Sequence, residues 1–527
     1  MRTVLAAFNA RFSHSSLAVR YIKEYNSDLD IKIMEFSINE NIFSSYSALL
    51  AERADIYCFS VYIWNIETAA KAAEMLKKAL PECVIVFGGP ECSYNTKESF
   101  EKYPFLDYIT VGEGEIPTGN LIRSLESGQK STSHGIASPN FPDAVHVCVP
   151  LESVPFPYTE KSVKELENKI VYFETSRGCP FRCSYCLSAI EKSVRYFPME
   201  YVKRGFDFFF KHSIPLVKLV DRTFNADPKR AAEIIKYIIK NSKCTKVHFE
   251  IDPGILTEDL ISLLASAPKD LFQLEMGIQS SNEETLKAVK RHENLTKVSE
   301  NIKRLKNTRN MHIHLDLIAG LPYEDYESFE KSFNYVYSLR PDMLQLGFLK
   351  VLHGTPIKDF GGIVYADFPP YEVIKTKWIS AEEICRLKLI DKAVDEINNS
   401  GAFGLTLGKI TKENPFKAFE RLSDIFRGEK KPGRFELYGK IYEVYGAEVF
   451  KELIFDFMLN SRTRPMPHFA DIKYPEGFKK LCAKILSVHF PYLNPEDVRF
   501  EPIEGKIFMA DIKNSKILDV TALAKAE

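Results

Sequence analysis

The stretch Phe173-Glu174-Thr175-Ser176-Arg177-Gly178-Cys179-Pro180-Phe181-Arg182-Cys183-Ser184-Tyr185-Cys186 follows a strand-like run and spaces its cysteines as C-x-x-x-C-x-x-C. Thiolates are the usual ligands of iron–sulfur clusters, and a fully cysteine-held cubane takes four of them. Cys179, Cys183 and Cys186 make three, which implies a fourth ligand from elsewhere at an open iron. A zinc knuckle is the competing reading. Zinc takes four ligands, often as two C-x-x-C pairs; no second pair is near, and His212 and His248 are too isolated to complete the set.

Toward the C-terminus, strand-like runs at 170–175, 216–220, 246–251, 272–278, 313–318 and 343–349 alternate with helical stretches. Six such units fall short of the eight that close a TIM barrel, so the pattern predicts a (βα)6 partial TIM barrel over 169–360, with its chemistry at the C-terminal rim. Residues 361–527 read as a mainly helical domain of unassigned role, with helices near 379–398 and 448–459 and a strand-like tail at 498–520. Toward the N-terminus, 131–168 is rich in Ser, Pro and His and reads as a linker. In 1–130, runs at 3–8, 31–36, 56–63, 84–87 and 108–111 alternate with helical patterns at 16–25, 46–53, 67–80 and 117–125. That alternation predicts a doubly wound (Rossmann-like) α/β domain, whose ligands lie beyond the carboxyl ends of its strands.

The chain of 527 residues is too long for one core. Its 70 basic and 71 acidic residues nearly cancel, so no global field calls for nucleic acid or an anionic membrane. No apolar run approaches the roughly 18 residues of a membrane span, and the first residues, Met1 to Asn9, lead into an amphipathic pattern rather than a signal-peptide core. These features, with ten mostly scattered cysteines, predict a cytoplasmic protein with reduced thiols.

The cysteine motif, with aromatic Tyr185 before its third cysteine and a six-unit βα pattern behind it, resembles the radical S-adenosylmethionine (SAM) superfamily. The resemblance implies a [4Fe-4S] cluster whose open iron takes the amino and carboxylate groups of SAM. One-electron reduction then yields a 5′-deoxyadenosyl radical, with the electron coming from an external donor of flavodoxin or ferredoxin type. It also implies SAM contacts at Tyr185, at Asp221 in the segment Asp221-Arg222-Thr223-Phe224-Asn225, at Glu250, and at Glu275 and Gln279 in Glu275-Met276-Gly277-Ile278-Gln279-Ser280. Strand alternation sets Glu275, Gly277 and Gln279 on one face, two polar groups and a gap. For Asp221, a turn or helix-capping role is the alternative.

The doubly wound domain upstream is similar to that of the cobalamin-binding subclass. The segments that carry the likeness are Phe59-Ser60-Val61-Tyr62-Ile63-Trp64-Asn65, Phe87-Gly88-Gly89-Pro90-Glu91 and Val111-Gly112-Glu113-Gly114-Glu115. The implied cobalamin contacts are Asn9, Ser13, His14, Ser60, Tyr62, Asn65, Gly88, Gly89, Pro90, Glu91, Gly112, Glu113 and Gly114. The first-strand loop, Asn9 to Ser15, departs from the D-x-H-x-x-G pattern whose histidine coordinates cobalt in mutases. His14 is therefore a candidate loop contact rather than a ligand.

Together these resemblances imply a cobalamin-dependent radical SAM enzyme, foremost a C-methyltransferase drawing its methyl group through methylcobalamin. Radical ring cyclisation or rearrangement is an alternative within the same architecture. Methylthiotransfer is another, but its upstream domain needs three further cluster cysteines, and Cys58, Cys83 and Cys92 do not occupy the first-strand loop. A non-enzymatic cobalamin- or cluster-based sensor is the remaining reading. The substrate is not legible, and neither a membrane nor a nucleic-acid partner is indicated.

Overall fold

The structure, a computed structural model, describes residues 1–128, 134–190, 193–428 and 430–526. Residues 129–133, at the end of the first expected domain and the start of the linker, lie outside the described residues. The chain divides into two compact units: residues 1–314, 320–323 and 348–378 in one, and 315–319, 324–347 and 379–527 in the other.

The first unit opens with strands β1 (Thr3–Asn9), β2 (Ile31–Ser37), β3 (Ile56–Ser60), β4 (Val84–Gly88) and β5 (Tyr108–Thr110). They pair in parallel in the order β2-β1-β3-β4-β5. Strand β1 is apolar and buried along nearly its whole length, as a central parallel strand covered on both faces must be. Its two sides feed separate cores, one around Phe8, Phe59 and Phe87 and one around Leu5, Cys58 and Val86. The helices fall within a few residues of their predicted positions: Leu17–Tyr25, Ile42–Ala51, Ile66–Ala79 and Glu115–Glu126. Two short helices after β4, Pro90–Ser93 and Thr96–Lys102, escape the periodicity because they are too brief to show it.

The region expected to be a linker is partly sheet. Strand β6 (Ile136–Ala137) pairs antiparallel with β5, and Val147 bridges to Gly112 in parallel. Backbone pairing spends N–H and C=O groups that every residue carries, so a polar, proline-rich stretch can join a sheet edge without a side-chain signature.

A second sheet follows the linker. Its strands are β7 (Val171–Phe173), β10 (Leu216–Leu219), β11 (Lys246–Glu250), β12 (Phe272–Gln279), β13 (His312–Ala319) and β14 (Met343–Phe348), with a small antiparallel ribbon of β8 (Ser176–Arg177) and β9 (Arg195–Tyr196) beside it. The order β7-β10-β11-β12-β13-β14 is that of the predicted six-unit partial barrel. Along β12, Phe272, Leu274, Met276 and Ile278 are buried while Gln273, Glu275, Gly277 and Gln279 are only partly so. That alternation separates the helix-packed face from the lumen face.

Residues 348–378, with the hairpin β15 (Ile363–Tyr365) and β16 (Val373–Thr376), belong to the first unit, so the expected boundary at 360 falls inside it. The second unit is helical from Ala381–Ala393 to Phe478–His489 and closes with an antiparallel sheet of β17 (Val498–Ile503), β18 (Lys506–Asp511) and β19 (Lys516–Asp519). The buried Asp456 carboxylate accepts hydrogen bonds from the Leu405 and Thr406 backbone N–H groups and from the Thr406 hydroxyl, and so caps helix Gly404–Ile410. No helix among the described residues is long and apolar enough to cross a membrane.

Candidate active site

A cavity of about 690 Å3 lies at the carboxyl ends of the first sheet. In the order β2-β1-β3-β4-β5 all strands run parallel but the order of connection reverses between β1 and β3, and a crevice opens there. Of the expected cobalamin contacts, Asn9, His14, Ser60, Tyr62, Gly88, Gly89, Pro90, Gly112, Glu113 and Gly114 line the cavity.

Three others do not line it. The Asn65 side chain is a turn brace, accepting from the Tyr62 N–H at 2.7 Å and donating to the Phe8 and Ser60 carbonyls. Ser13 contributes its carbonyl to the Ile170 N–H at 2.7 Å. Glu91 is buried and receives the Tyr371 hydroxyl; burial pushes its carboxyl up to about 6. Each was placed near the ligand by its position in a loop, and each side chain or backbone group turns to the protein instead.

Gly89 and Gly112 hold φ angles of +124° and +91°, and a Cβ on either would come within 2.4 Å of a backbone oxygen, of Val61 and Val147 respectively. The glycines are thus required first by the protein's own packing. His14 shares a 2.7 Å hydrogen bond between its Nδ1 and the Tyr172 hydroxyl, while burial, then Arg11 and Lys218, lower its pKa. Sequence reasoning missed Trp64, which stacks on Tyr62 with ring centroids 4.3 Å apart and lines the cavity, and His146, which the former linker supplies.

The cavity reaches the cysteine loop. Gly178 and Leu187, neighbours of Cys179 and Cys186, line it, as do Glu174, Arg177 and Arg222. All three cysteines are free thiols; the Cys179 Sγ lies 3.4 Å from the Thr223 hydroxyl, and an Arg291 N–H points at the Cys183 Sγ from 3.8 Å. Three thiols on one short loop, one of them beside a fixed cation, form a donor set suited to an anionic thiolate-held cluster.

The expected SAM contacts separate into two groups. Tyr185 is half-buried, its hydroxyl enclosed near Cys183 and Arg291, and that burial raises the hydroxyl pKa. Glu250 ends β11 in register with Glu275 of β12. Gln279 ends β12 with a positive φ of 71° and a buried Oε1 that has no hydrogen-bond partner among the described residues. An amide oxygen left without a partner in a buried site is a place for a ligand donor. The gap at Gly277 also has a cause, since a Cβ there would sit 1.9 Å from the Gln279 Nε2.

Asp221 and Glu275 are committed elsewhere. Asp221, 1% exposed, accepts from the Thr175 N–H at 2.9 Å and from the Thr175 and Ser176 hydroxyls at 2.6 Å each, tying the end of β10 to the start of the cysteine loop. Burial raises its carboxyl pKa in spite of those bonds. This is a long-range brace between two strand ends, not the local turn or helix cap offered as the alternative to SAM contact. The Glu275 carboxylate sits deeper in the barrel, 3.1 Å from both the Lys218 Nζ and the His248 Nε2. Burial opposes its ionisation, but Lys218 and His314 hold its pKa below the usual carboxylate value. Arg291, unremarked in the sequence, donates to the Gly277 carbonyl at 2.5 Å and pairs with Glu293.

Comparison with known proteins agrees with this geometry. Residues 3–122 match the B12 binding domain model, residues 173–336 the radical SAM superfamily model, and residues 359–495 a family described as protein of unknown function, DUF4080. The chain carries a B12-binding domain and a radical SAM domain. It is 26% identical over 302 residues to the cobalamin-dependent radical SAM methyltransferase TokK of Streptomyces tokunonensis, covering 52% of this chain and 44% of TokK. The chain thus spans less than half the length of that relative.

Among solved structures, the cobalamin-dependent SAM radical enzyme OxsB with aqua-cobalamin and SAM bound superposes with a TM-score of 0.63 at 14% identity, over 93% of this chain and 75% of OxsB. The radical SAM methyltransferase TsrM of Kitasatospora setae with cobalamin and a [4Fe-4S] cluster bound gives 0.58 at 16%, over 71% and 82%. At these identities the likeness bears on the fold.

Proposed function

We propose that this protein is a cobalamin-dependent radical SAM enzyme that transfers a methyl group to an unreactive carbon of its substrate. One observation carries the reading. Neighbours of two cluster cysteines, Gly178 and Leu187, wall the same cavity as the strand-end loops of the B12-binding domain. Chemistry at the thiol loop and a ligand in that cavity would therefore meet across a single wall.

Cys179, Cys183 and Cys186 would hold the cluster. Tyr185, Glu250 and the unpaired Gln279 amide oxygen would hold SAM, and the Arg291 guanidinium, already beside Cys183, suits its carboxylate. The strand-end loops and the Tyr62–Trp64 stack would hold the corrin ring. When bound, the cluster supplies an electron to SAM and the cobalamin a transferable methyl group. The protein's part is to hold these groups in register and keep water from them; apolar side chains make up much of the cavity wall. An external one-electron donor completes the requirement.

Methylthiotransfer is disfavoured by the upstream cysteines. Cys58 packs into one core of the sheet, and Cys83 and Cys92 into the other. Burial pushes the Cys58 and Cys92 thiols up to about 12, far from the thiolates that a second cluster needs.

Anaerobic reconstitution of the full chain with iron, sulfide and cobalamin tests the proposal. One four-iron cluster, one bound cobalamin and reductive cleavage of SAM are expected. Two clusters without cobalamin would return the reading to methylthiotransfer, and a cluster that leaves SAM intact would remove both enzymatic readings.

A further inference from the structure

The loop after β5 does two things at once. Its backbone at Gly112 and Gly114 lines the cavity, while the carboxylates of Glu113 and Glu115 reach the cysteine loop. There they meet Arg177, two residues before Cys179. The Arg177 Nη1 lies 3.2 Å from a Glu113 oxygen and its Nη2 lies 2.7 Å from a Glu115 oxygen; its Nε donates to Glu174 at 2.8 Å. The guanidinium plane is held against Tyr21 and Phe197, 5.3 and 5.7 Å from the ring centroids. Glu113 is a hub in turn: it pairs with Arg195 on β9 and accepts the Val149 N–H from the former linker at 2.5 Å.

This cluster is largely buried, with Arg195 at its half-exposed edge, and over-supplied with acid, three carboxylates against Arg177 and Arg195. Burying such a set costs desolvation, so it is poor at simply adding stability. What a rigid bidentate fork among fixed carboxylates provides is position. Here it fixes the wall of one cofactor cavity to the root of the other cofactor's ligand loop.

Resting on the function proposed above, we propose that Arg177 is a positioning residue that couples the two cofactor sites, so that assembly of the cluster tightens cobalamin binding and cobalamin in turn stabilises the cluster. Cluster formation fixes Cys179 and therefore Gly178 and Arg177. Arg177 then holds Glu113 and Glu115, and with them the backbone of Gly112 and Gly114 against the corrin. Coupling between binding sites is reciprocal, so the same factor acts in both directions.

The test is cobalamin affinity of the full-length protein with and without reconstituted cluster. The wild type is expected to bind about fivefold or more tightly when the cluster is present. In Arg177→Lys and in Glu115→Gln the ratio is expected to fall to about one, with cluster-free affinity changed less than about twofold, and the double variant should be no worse than either single. A wild-type ratio of one overturns the coupling. So does a ratio that survives in the variants, or an equal loss of affinity in both forms, which would mark Arg177 as a plain structural brace. A second arm needs no variant: cobalamin should raise, by the wild-type ratio, the equilibrium constant for cluster retention against a competing chelator, and no change overturns the proposal. Wild-type protein that binds no cobalamin or builds no cluster would instead remove the proposed function, and the coupling with it.

Discussion

At the scale of single residues, the site is decided by which polar atoms are already satisfied. Gln279 has a buried amide oxygen without a partner, and Asp221 has none to spare. The two residues should therefore answer to substitution in opposite ways. Gln279→Ala is expected to leave folding intact and weaken SAM binding to the cluster-loaded protein by about tenfold, the worth of a hydrogen bond of roughly 1.5 kcal/mol, measurable by equilibrium dialysis. Asp221→Ala strands two hydroxyls and a backbone N–H in the interior and should cost about 2–4 kcal/mol in denaturant unfolding. An Asp221→Ala protein as stable as the wild type would mean that its three bonds are not the brace described here. Both residues stand in motif-like surroundings, so the sequence alone could not separate them. The difference lies in partners tens of residues away, at Thr175 and Ser176 for Asp221.

At the scale of elements, what decides the cavity is how loops are pinned. Gly112→Ala would set a methyl group 2.4 Å from the Val147 carbonyl at a φ of +91°, so the loop must part from the 146–149 segment or strain. A cost above about 2 kcal/mol is expected, seen as a lowered Tm, together with weaker cobalamin binding in the cluster-free protein. Unchanged cobalamin affinity would show that this loop is not part of the corrin wall.

The strands and most helices were legible because apolar periodicity survives in buried parallel sheets: all six barrel strands and the first five strands appear within a few residues of their expected bounds. The pinning was not legible. Val147 joins the sheet edge through main-chain groups, and the carboxylate partners of Arg177 stand up to 64 residues earlier in the chain, at Glu113. Trp64, 49% exposed, and Arg291, between Lys290 and His292, look in sequence like solvated surface.

At the scale of the whole molecule, residues 348–378 return to the first domain, where the Tyr371 hydroxyl meets Glu91 and Gly354 packs on Tyr94. Burial raises the Glu91 carboxyl from its ordinary 4.5 to about 6, so the folded protein holds a proton that the unfolded chain releases. Below pH 4.5 both states are protonated. Between 4.5 and 6 only the folded one is, and stability falls by about 2 kcal/mol as pH rises across that window. Unfolding free energies from pH 4 to 7 should lose this slope in Glu91→Gln, and a variant with the wild-type slope would assign the proton elsewhere.

The Glu91–Tyr371 contact joins residues 280 apart in the chain. At about 5–20 residues per second of synthesis, Tyr371 leaves the ribosome roughly 15–55 s after Glu91. Throughout that interval Glu91 is without the hydroxyl that meets it in the folded protein, and the contact can close only when about seven-tenths of the chain has been made.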